Sequence, residues 1–163
     1  MRKLIGLLIA IIVVTGSVLL VGCGPSSPVI GKPEPGPELY DKVWISPGKV
    51  EVGKFYPGAR AEYILTIHNG NDQSTEFSIT YRAEVGSDEE FVVAPAEAEG
   101  WVTIADPSPV LAAKETREVL IAVEMPEGAT APAKWEFRIV VKDASQAGMI
   151  QTELASRWLI TMK

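Results

Sequence analysis

The prediction of the fold starts from the segment ARAEYILTIHNGND, Ala59 to Asp72. Its residues alternate with a period of two, which is the pattern of a β-strand that has one face in the core. One face carries Ala61, Tyr63, Leu65 and Ile67, and the other carries Glu62, Ile64, Thr66 and His68. An Asn-Gly pair follows and can supply positive φ at Asn69 or Gly70. The stretch therefore predicts a half-buried strand that ends in a turn.

The same period recurs through most of the chain after residue 43. Four further segments alternate in this way, namely EFSITYRAEV, TREVLIAVEM, AKWEFRIVVKD and ASRWLITMK. In the third of them, Trp135 and Phe137 are expected inside and Glu136 outside. Short pieces at VWIS, KVEV, WVTI and PVLA complete the set, and no helix longer than about two turns is expected. Seven to nine short strands predict an all-β fold, an antiparallel immunoglobulin-like β-sandwich.

The N-terminus has a different character. Arg2 and Lys3 give a short positive start, and the run from Leu4 to Val21 carries no charge. This is the profile of a secretory signal helix. The run of about 18 residues also reaches the lower limit for a membrane-spanning helix, so an uncleaved signal anchor is the alternative.

The position of the only cysteine, Cys23, supports export with lipid attachment. The sequence Leu20-Val21-Gly22-Cys23 resembles the bacterial lipobox, with an aliphatic residue three places before the cysteine and a small residue directly before it. That resemblance implies cleavage before Cys23, attachment of a diacylglyceryl group through a thioether, and anchoring in the lipid bilayer. A cysteine buried as a small apolar residue in a transmembrane anchor is the alternative.

A spacer follows the cysteine. Residues 24–40, GPSSPVIGKPEPGPELY, are rich in Pro, Gly and Ser, which disfavours both helix and central strand. Proline-rich chain extends by about 3.1 Å per residue, so this spacer reaches roughly 40 to 50 Å. The expected organisation is a signal peptide at 1–22, an acylated cysteine and Pro/Gly-rich tether at 23–42, and the sandwich at 43–163.

Charge and cysteine count exclude several classes of function. The 163-residue chain has 15 basic and 21 acidic residues, a net charge of −6, and residues 1–22 hold two of the bases and no acid. The processed chain would carry −8, and its bases are scattered singly, which excludes nucleic acid as a partner. A single cysteine excludes an intramolecular disulfide and a cysteine-based metal site. No cofactor is expected.

Few residues offer chemistry. His68 is the only histidine, no G-x-S-x-G setting accompanies it, and we interpret it as an exposed residue near a turn with no catalytic role. Residues 69–72 and 87–90 are rich in oxygen but lack the spacing of a calcium loop, so both are interpreted as solvated turns and no metal site is assigned. Trp44 and Trp101 lie near strand starts and are the candidates for ligand contact.

A family resemblance appears in three segments: ISPGKVEVG, AEYILTIHNGN and GWVTIADPSPVLAAKETREVLIAVEMPEGA. They resemble the Ig-like modules of bacterial and archaeal surface proteins, which are related in outline to the major sperm protein and pilus-chaperone sandwiches. The resemblance covers roughly Val43 to Lys163 and implies architecture, with little bearing on activity. The basic residues with which pilus chaperones clamp a subunit have no match here.

The sequence thus leads to two hypotheses about function. The first is a membrane-anchored extracytoplasmic lipoprotein, on the cell surface or the periplasmic side, whose Ig-like domain binds or scaffolds another envelope protein without catalysis. The second is a surface carbohydrate-binding module that uses exposed Trp44 and Trp101 to contact a glycan.

Overall fold

The computed structural model describes residues 37–84, 90–145 and 153–163. Cys23, the lipobox and the signal helix lie outside these residues. Short 3-10 turns occupy Pro37–Leu39 and Ala96–Trp101. The strands are β1 (Trp44–Ser46), β2 (Lys49–Phe55), β3 (Arg60–His68), β4 (Thr75–Arg82), β5 (Val92–Val93), β6 (Val102–Ile104), β7 (Val110–Leu111), β8 (Thr116–Glu124), β9 (Lys134–Asp143) and β10 (Glu153–Met162).

The strands form two sheets. One has four strands in the order β1-β3-β8-β6, and the other has the order β2-β10-β9-β4-β7, with β5 added beside β9. Neighbouring strands are antiparallel except in the pairs β2 with β10 and β5 with β9. The chain passes from the first sheet to the second between β1 and β2, where the Ser46–Pro47 bond is cis. This arrangement confirms the predicted all-β, immunoglobulin-like sandwich.

The two sheets meet through the alternating faces predicted from the sequence. In β3, Leu65 is 1% exposed and Ile67 is fully buried, whereas Ile64 on the opposite face is 46% exposed. Aromatic rings join the sheets, since Tyr63 of β3 meets the ring of Trp158 edge-on at 5.3 Å. Phe137 stacks on that tryptophan at 5.5 Å and on Trp135 at 5.9 Å. Packing of this kind holds a sandwich that has no disulfide.

Glu136 lies on the outward face of β9 as expected, but it is not exposed to solvent there. Its side chain is fully buried, although it lies on the face of β9 opposite Trp135 and Phe137. Arg157 of β10 donates from Nε to Glu136 Oε2 at 2.7 Å, and its Nη2 donates to the same oxygen. A buried carboxylate needs such a charged partner, because removal from water penalises an isolated ion heavily.

A second carboxylate links three strands of the six-stranded sheet. Glu153 of β10 accepts from Arg82 Nη1 of β4 at 2.7 Å through Oε2, and its Oε1 lies 2.7 Å from Lys142 Nζ of β9. The hydrogen bond from Arg82, and next that from Lys142, lower the pKa of Glu153 from 4.5 to about 2. Its contribution to stability is therefore present above pH 4.5 and is lost as the pH falls toward 2.

The phase of β3 can be tested with two adjacent substitutions. Leu65→Ala removes a buried side chain and should lower the free energy of unfolding by about 2–5 kcal/mol. Ile64→Ala removes an exposed side chain from the same strand and should change it by no more than about 1 kcal/mol. Urea titration followed by tryptophan fluorescence measures both. Equal losses for the two variants would contradict the assigned phase.

The link through Glu153 predicts a pH-dependent difference in stability. Glu153→Gln should be less stable than the parent protein at pH 6, and the gap should close as the pH falls from 4.5 toward 2, because the parent then loses the same interaction. Urea titrations at several pH values measure the gap. The control is Glu76→Gln, an exposed β4 residue with no side-chain ion pair among the described residues. A gap that is constant with pH argues against the assignment.

Candidate functional site: the junction of tether and sandwich

The last residues before β1 contact one end of the four-stranded sheet. This junction consists of residues 40–42, the end of β3 and the following turn at 68–72, and the turn between β7 and β8 at 112–116. We call it the tether dock. It brings together residues that are far apart in sequence, and residues 40–42 belong to the segment that the sequence assigns to the tether.

His68 lies at the centre of the tether dock. It is 1% exposed, and its Nε2 lies 2.9 Å from the carbonyl oxygen of Tyr40 while its Nδ1 lies 2.9 Å from Thr116 Oγ1. A carbonyl can only accept, so Nε2 carries the hydrogen, and in the neutral ring Nδ1 accepts from the threonine hydroxyl. Trp44 stacks on the imidazole at 5.4 Å. The prediction that His68 is exposed is wrong, because the tether covers this end of the strand.

Lys114 ties the tether to the turn after β3. Its Nζ donates to the carbonyl oxygen of Gly70 at 2.6 Å and to Asp41 Oδ1 at 2.7 Å, and it lies 3.0 Å from Asp72 Oδ1. The hydrogen bond to Asp41, and next that to Asp72, raise the pKa of Lys114. The ammonium group also lies over the ring of Tyr40, 5.6 Å from its centroid. One cation therefore holds groups from two chain segments.

The Asn-Gly pair has a different role from the predicted one. Neither residue has positive φ. Asn69 is fully buried, and its Nδ2 donates to the carbonyl oxygens of Gln73 and Ala112, both at 2.9 Å. A Cβ on Gly70 would lie 2.2 Å from the carbonyl carbon of Lys42, so glycine is required for close approach of two backbones. The solvated turn expected here is wrong for Asn69 and Gly70.

The two candidate tryptophans do not form a shared exposed patch. Trp101 is 8% exposed and packs edge-on against Trp135 at 6.0 Å, so its expected exposure is wrong. Trp44 is half-buried beside the tether dock, and its buried Nε1 has no acceptor among the described residues. Trp44 lies on edge strand β1 opposite His68, at the end of β3 that pairs with Thr116 of β8. Trp101 directly precedes β6 at the other edge, whose Val102 pairs with Val123 near the far end of β8. The two tryptophans therefore lie at different edges and different ends of the four-stranded sheet.

Sequence reasoning missed Tyr40, Thr116 and Lys114. Tyr40 and Lys114 belong to no strand, and nothing in the hydrophobic period links them to His68. The turn AAKE contains no Gly, Asn or Pro to mark it in the sequence, yet in the structure Lys114 has a φ of +59, which allows the chain to reverse before β8. Within residues 37–84, 90–145 and 153–163, no group of three acidic, histidine or cysteine side chains is placed to hold a metal ion.

No helix in the described part of the chain has the length and apolar character needed to cross a bilayer. The segment from Leu4 to Val21, for which the sequence predicts a signal helix or an anchor, lies outside that part.

No family model matches this chain, and no curated protein matches it. Solved structures share its fold. The PapD-like domain 7 of human CEP192 aligns at 18% identity over 82% of this chain and 92% of that chain, with a TM-score of 0.54. The periplasmic chaperone SfaE aligns at 13% identity over 75% of this chain and 58% of that chain, with a TM-score of 0.52.

The class 5 fimbriae chaperone CfaA aligns at 11% identity over 75% of this chain and 57% of that chain, with a TM-score of 0.51. The chain thus spans a little over half the length of the chaperones that it resembles. At these identities the likeness establishes the fold alone. It confirms that the chain has the PapD-like form of the immunoglobulin sandwich.

The close approach at Gly70 provides a test of the tether dock. In a chain that starts at Pro33, Gly70→Ala should displace residues 41 and 42 and break the bond from His68 to Tyr40. The free energy of unfolding should then fall by about 1–3 kcal/mol. In a chain that starts at Val43, the same substitution should have almost no effect, because Lys42 is absent. Urea titration of the four proteins measures the difference.

Gly100→Ala is the matched control for this experiment. A Cβ at that position meets no atom within 4 Å, so the substitution should leave both chains unchanged. If Gly70→Ala destabilises the short chain as much as the long one, its effect comes from the turn itself and the tether dock contributes nothing.

Proposed function

We propose that this protein is a membrane-anchored extracytoplasmic lipoprotein, attached through acylated Cys23, whose Ig-like domain is a protein-interaction or scaffolding module of the cell envelope. The tether dock carries the proposal. Residues 40–42, which follow the Pro/Gly-rich spacer, are held against one end of the sandwich by His68 and Lys114. A lipid on Cys23 would therefore hold the domain by a defined end.

A fixed attachment suits a module that meets partners in the same membrane system. Sixteen residues separate Cys23 from Tyr40, and the 13 that precede the 3-10 turn at Pro37–Leu39 would reach about 40 Å at roughly 3.1 Å each. That length allows the domain to stand clear of the bilayer while it remains confined to a thin layer. Confinement raises the effective concentration of the domain toward a partner in that layer.

The fold agrees with a protein partner. One solved structure with this fold is described as a chaperone-tip adhesin complex and aligns at 10% identity with a TM-score of 0.52. In that complex the partner is a protein. The likeness supports a binding role for this chain through its architecture, and the partner surface has to be argued from this chain's own residues.

The structure does not support glycan binding, because the two tryptophans that suggested it do not present free rings to solvent. Trp101 is buried against Trp135, and the ring of Trp44 is occupied by His68. Stacking on a sugar needs an exposed aromatic face. The protein-interaction role is therefore the function that the geometry supports best.

Lipid attachment is tested by metabolic labelling with an alkyne fatty acid in the native organism. The full-length protein should take up the label and partition into detergent, and Cys23→Ser should abolish both, since the thioether needs the sulfur. Ser27→Ala, four residues further on, should leave both unchanged. Label retained in the Cys23→Ser protein would overturn the lipoprotein assignment.

The interaction role is tested by chemical crosslinking of the tagged full-length protein in its native membrane, followed by mass spectrometry. We expect one dominant protein partner, and the Cys23→Ser protein should lose most of that product because it leaves the membrane layer. Recovery of glycan alone, or of nothing above the background of an untagged strain, would contradict a protein-interaction module.

A further inference from the structure

We infer that the edge formed by β5 and the adjoining 3-10 turn, residues 91–99, binds a basic, extended segment of a protein partner, which pairs with β5 as an added strand. We call this surface the β5 edge. The inference rests on the proposed protein-interaction role and specifies where the partner binds and what chemistry it presents. Three independent features of the β5 edge support it: exposed apolar side chains, an outward-facing peptide unit and local acidic charge.

The apolar side chains of β5 are unusually exposed. Val92 is 48% exposed and Val93 is 40% exposed, although consecutive residues of a strand face opposite sides. A strand on a sandwich normally buries one of the two. Both sides of this strand therefore reach solvent, and a short apolar edge of this kind is a template for pairing with another chain.

Within the described part of the chain, no strand pairs with the side of β5 that faces away from β9. Among the described residues, β5 pairs with β9 alone and in parallel, with Val93 opposite Glu136. Ala94 N donates to the carbonyl oxygen of Glu136 at 2.9 Å. In a parallel ladder, residues on one strand alternate between the two sides, so the N–H and C=O of Val93 face away from β9. An extended peptide is the ligand that satisfies such a pair of groups.

The charge near β5 favours a basic ligand. Glu97 and Glu99 are exposed, and neither forms an ion pair within the described residues. Lys134, a cation at this edge, is engaged by the carboxylate of Glu90 and lies over the ring of Phe91, 5.7 Å from its centroid. The chain as a whole has a net charge of −6. A partner strand with alternating Lys and Val would match both the carboxylates and the apolar side chains.

The other sheet edges carry features that oppose pairing. In β2, Lys49 and Lys54 are exposed, Lys54 has a φ of +57, and the ladder with β10 shifts register near Phe55. Charge and irregularity of this kind protect an edge. β1 adjoins the tether dock, where its Trp44 stacks on His68. The one exposed residue of β6 is the polar Thr103. β7 follows two prolines and exposes Val110 but buries Leu111, whereas β5 exposes both of its residues. These contrasts select β5.

The test uses detergent-solubilised full-length protein and a fluorescein-labelled peptide of sequence KVKVKVK, with binding followed by fluorescence anisotropy. We expect saturable binding. An acidic peptide, EVEVEVE, should not bind because of its charge. KPKPKPK keeps all four lysines and should not bind, because proline removes the N–H groups that a ladder needs. Equal binding of KVKVKVK and KPKPKPK would overturn strand pairing, and absence of KVKVKVK binding would overturn the whole inference.

Variants locate the binding surface. Val93→Pro removes the outward N–H and leaves the Ala94 bond to β9 in place, and it should weaken KVKVKVK binding by at least about tenfold, the effect of roughly 1.4 kcal/mol. Glu97→Lys with Glu99→Lys should weaken it similarly. Val110→Lys changes an exposed valine on β7 and should have no effect. Equal affinities for all four proteins would show that the peptide binds elsewhere and would contradict the β5 edge.

Failure of this inference can be distinguished from failure of the proposed function. If KVKVKVK does not bind while the membrane crosslinking still captures one dominant protein, the interaction role stands and the β5 edge is wrong. If crosslinking captures no protein, the proposed function itself is wrong.

Discussion

The two sheets of this domain are held together by contact between their inner faces. The only cysteine precedes the domain, so no disulfide joins the sheets, and the joining is done by Leu65 and Ile67 from one side and by Phe137 and Trp158 from the other. A core of this type tolerates few changes of phase, because a slip of one residue in β3 would send its apolar side chains to solvent. The alternation of apolar and polar residues in the sequence therefore predicts which face of each strand lies in the core.

This alternation explains which parts of the structure can be predicted from the sequence. Burial of Val119, Ile121 and Val123 follows from alternation alone, because every second side chain of a strand points to the same face of the sheet. Alternation does not say what covers the outer face. His68 and Glu136 both lie on faces that the period marks as outward, yet one is covered by Tyr40 and the other is buried beside Arg157.

The tether dock shows the same limit in another form. Its parts come from the chain before β1, from the end of β3 and from the turn before β8, and no local pattern connects them. The pair Asn69-Gly70 predicts a turn from the sequence. In the structure the glycine allows the backbone of Lys42 to approach, and the asparagine donates hydrogen bonds to backbone carbonyl groups of neighbouring turns. From the sequence such residues are predicted to be exposed to solvent, because the groups that bury them lie far away along the chain.

The tether dock and the β5 edge lie at opposite ends of the sandwich. The turn after β3 leads directly into β4, whose Phe77 pairs with Asp143 of β9, whereas Val92 of β5 pairs with Trp135 of the same strand. Those two positions of β9 are eight residues apart, or about 26 Å at roughly 3.3 Å per residue. Under the proposed lipid attachment, the chain would enter the domain at the dock end, and the β5 edge lies at the other end. Attachment at one end and binding at the other would then follow from the course of β9 through the sheet.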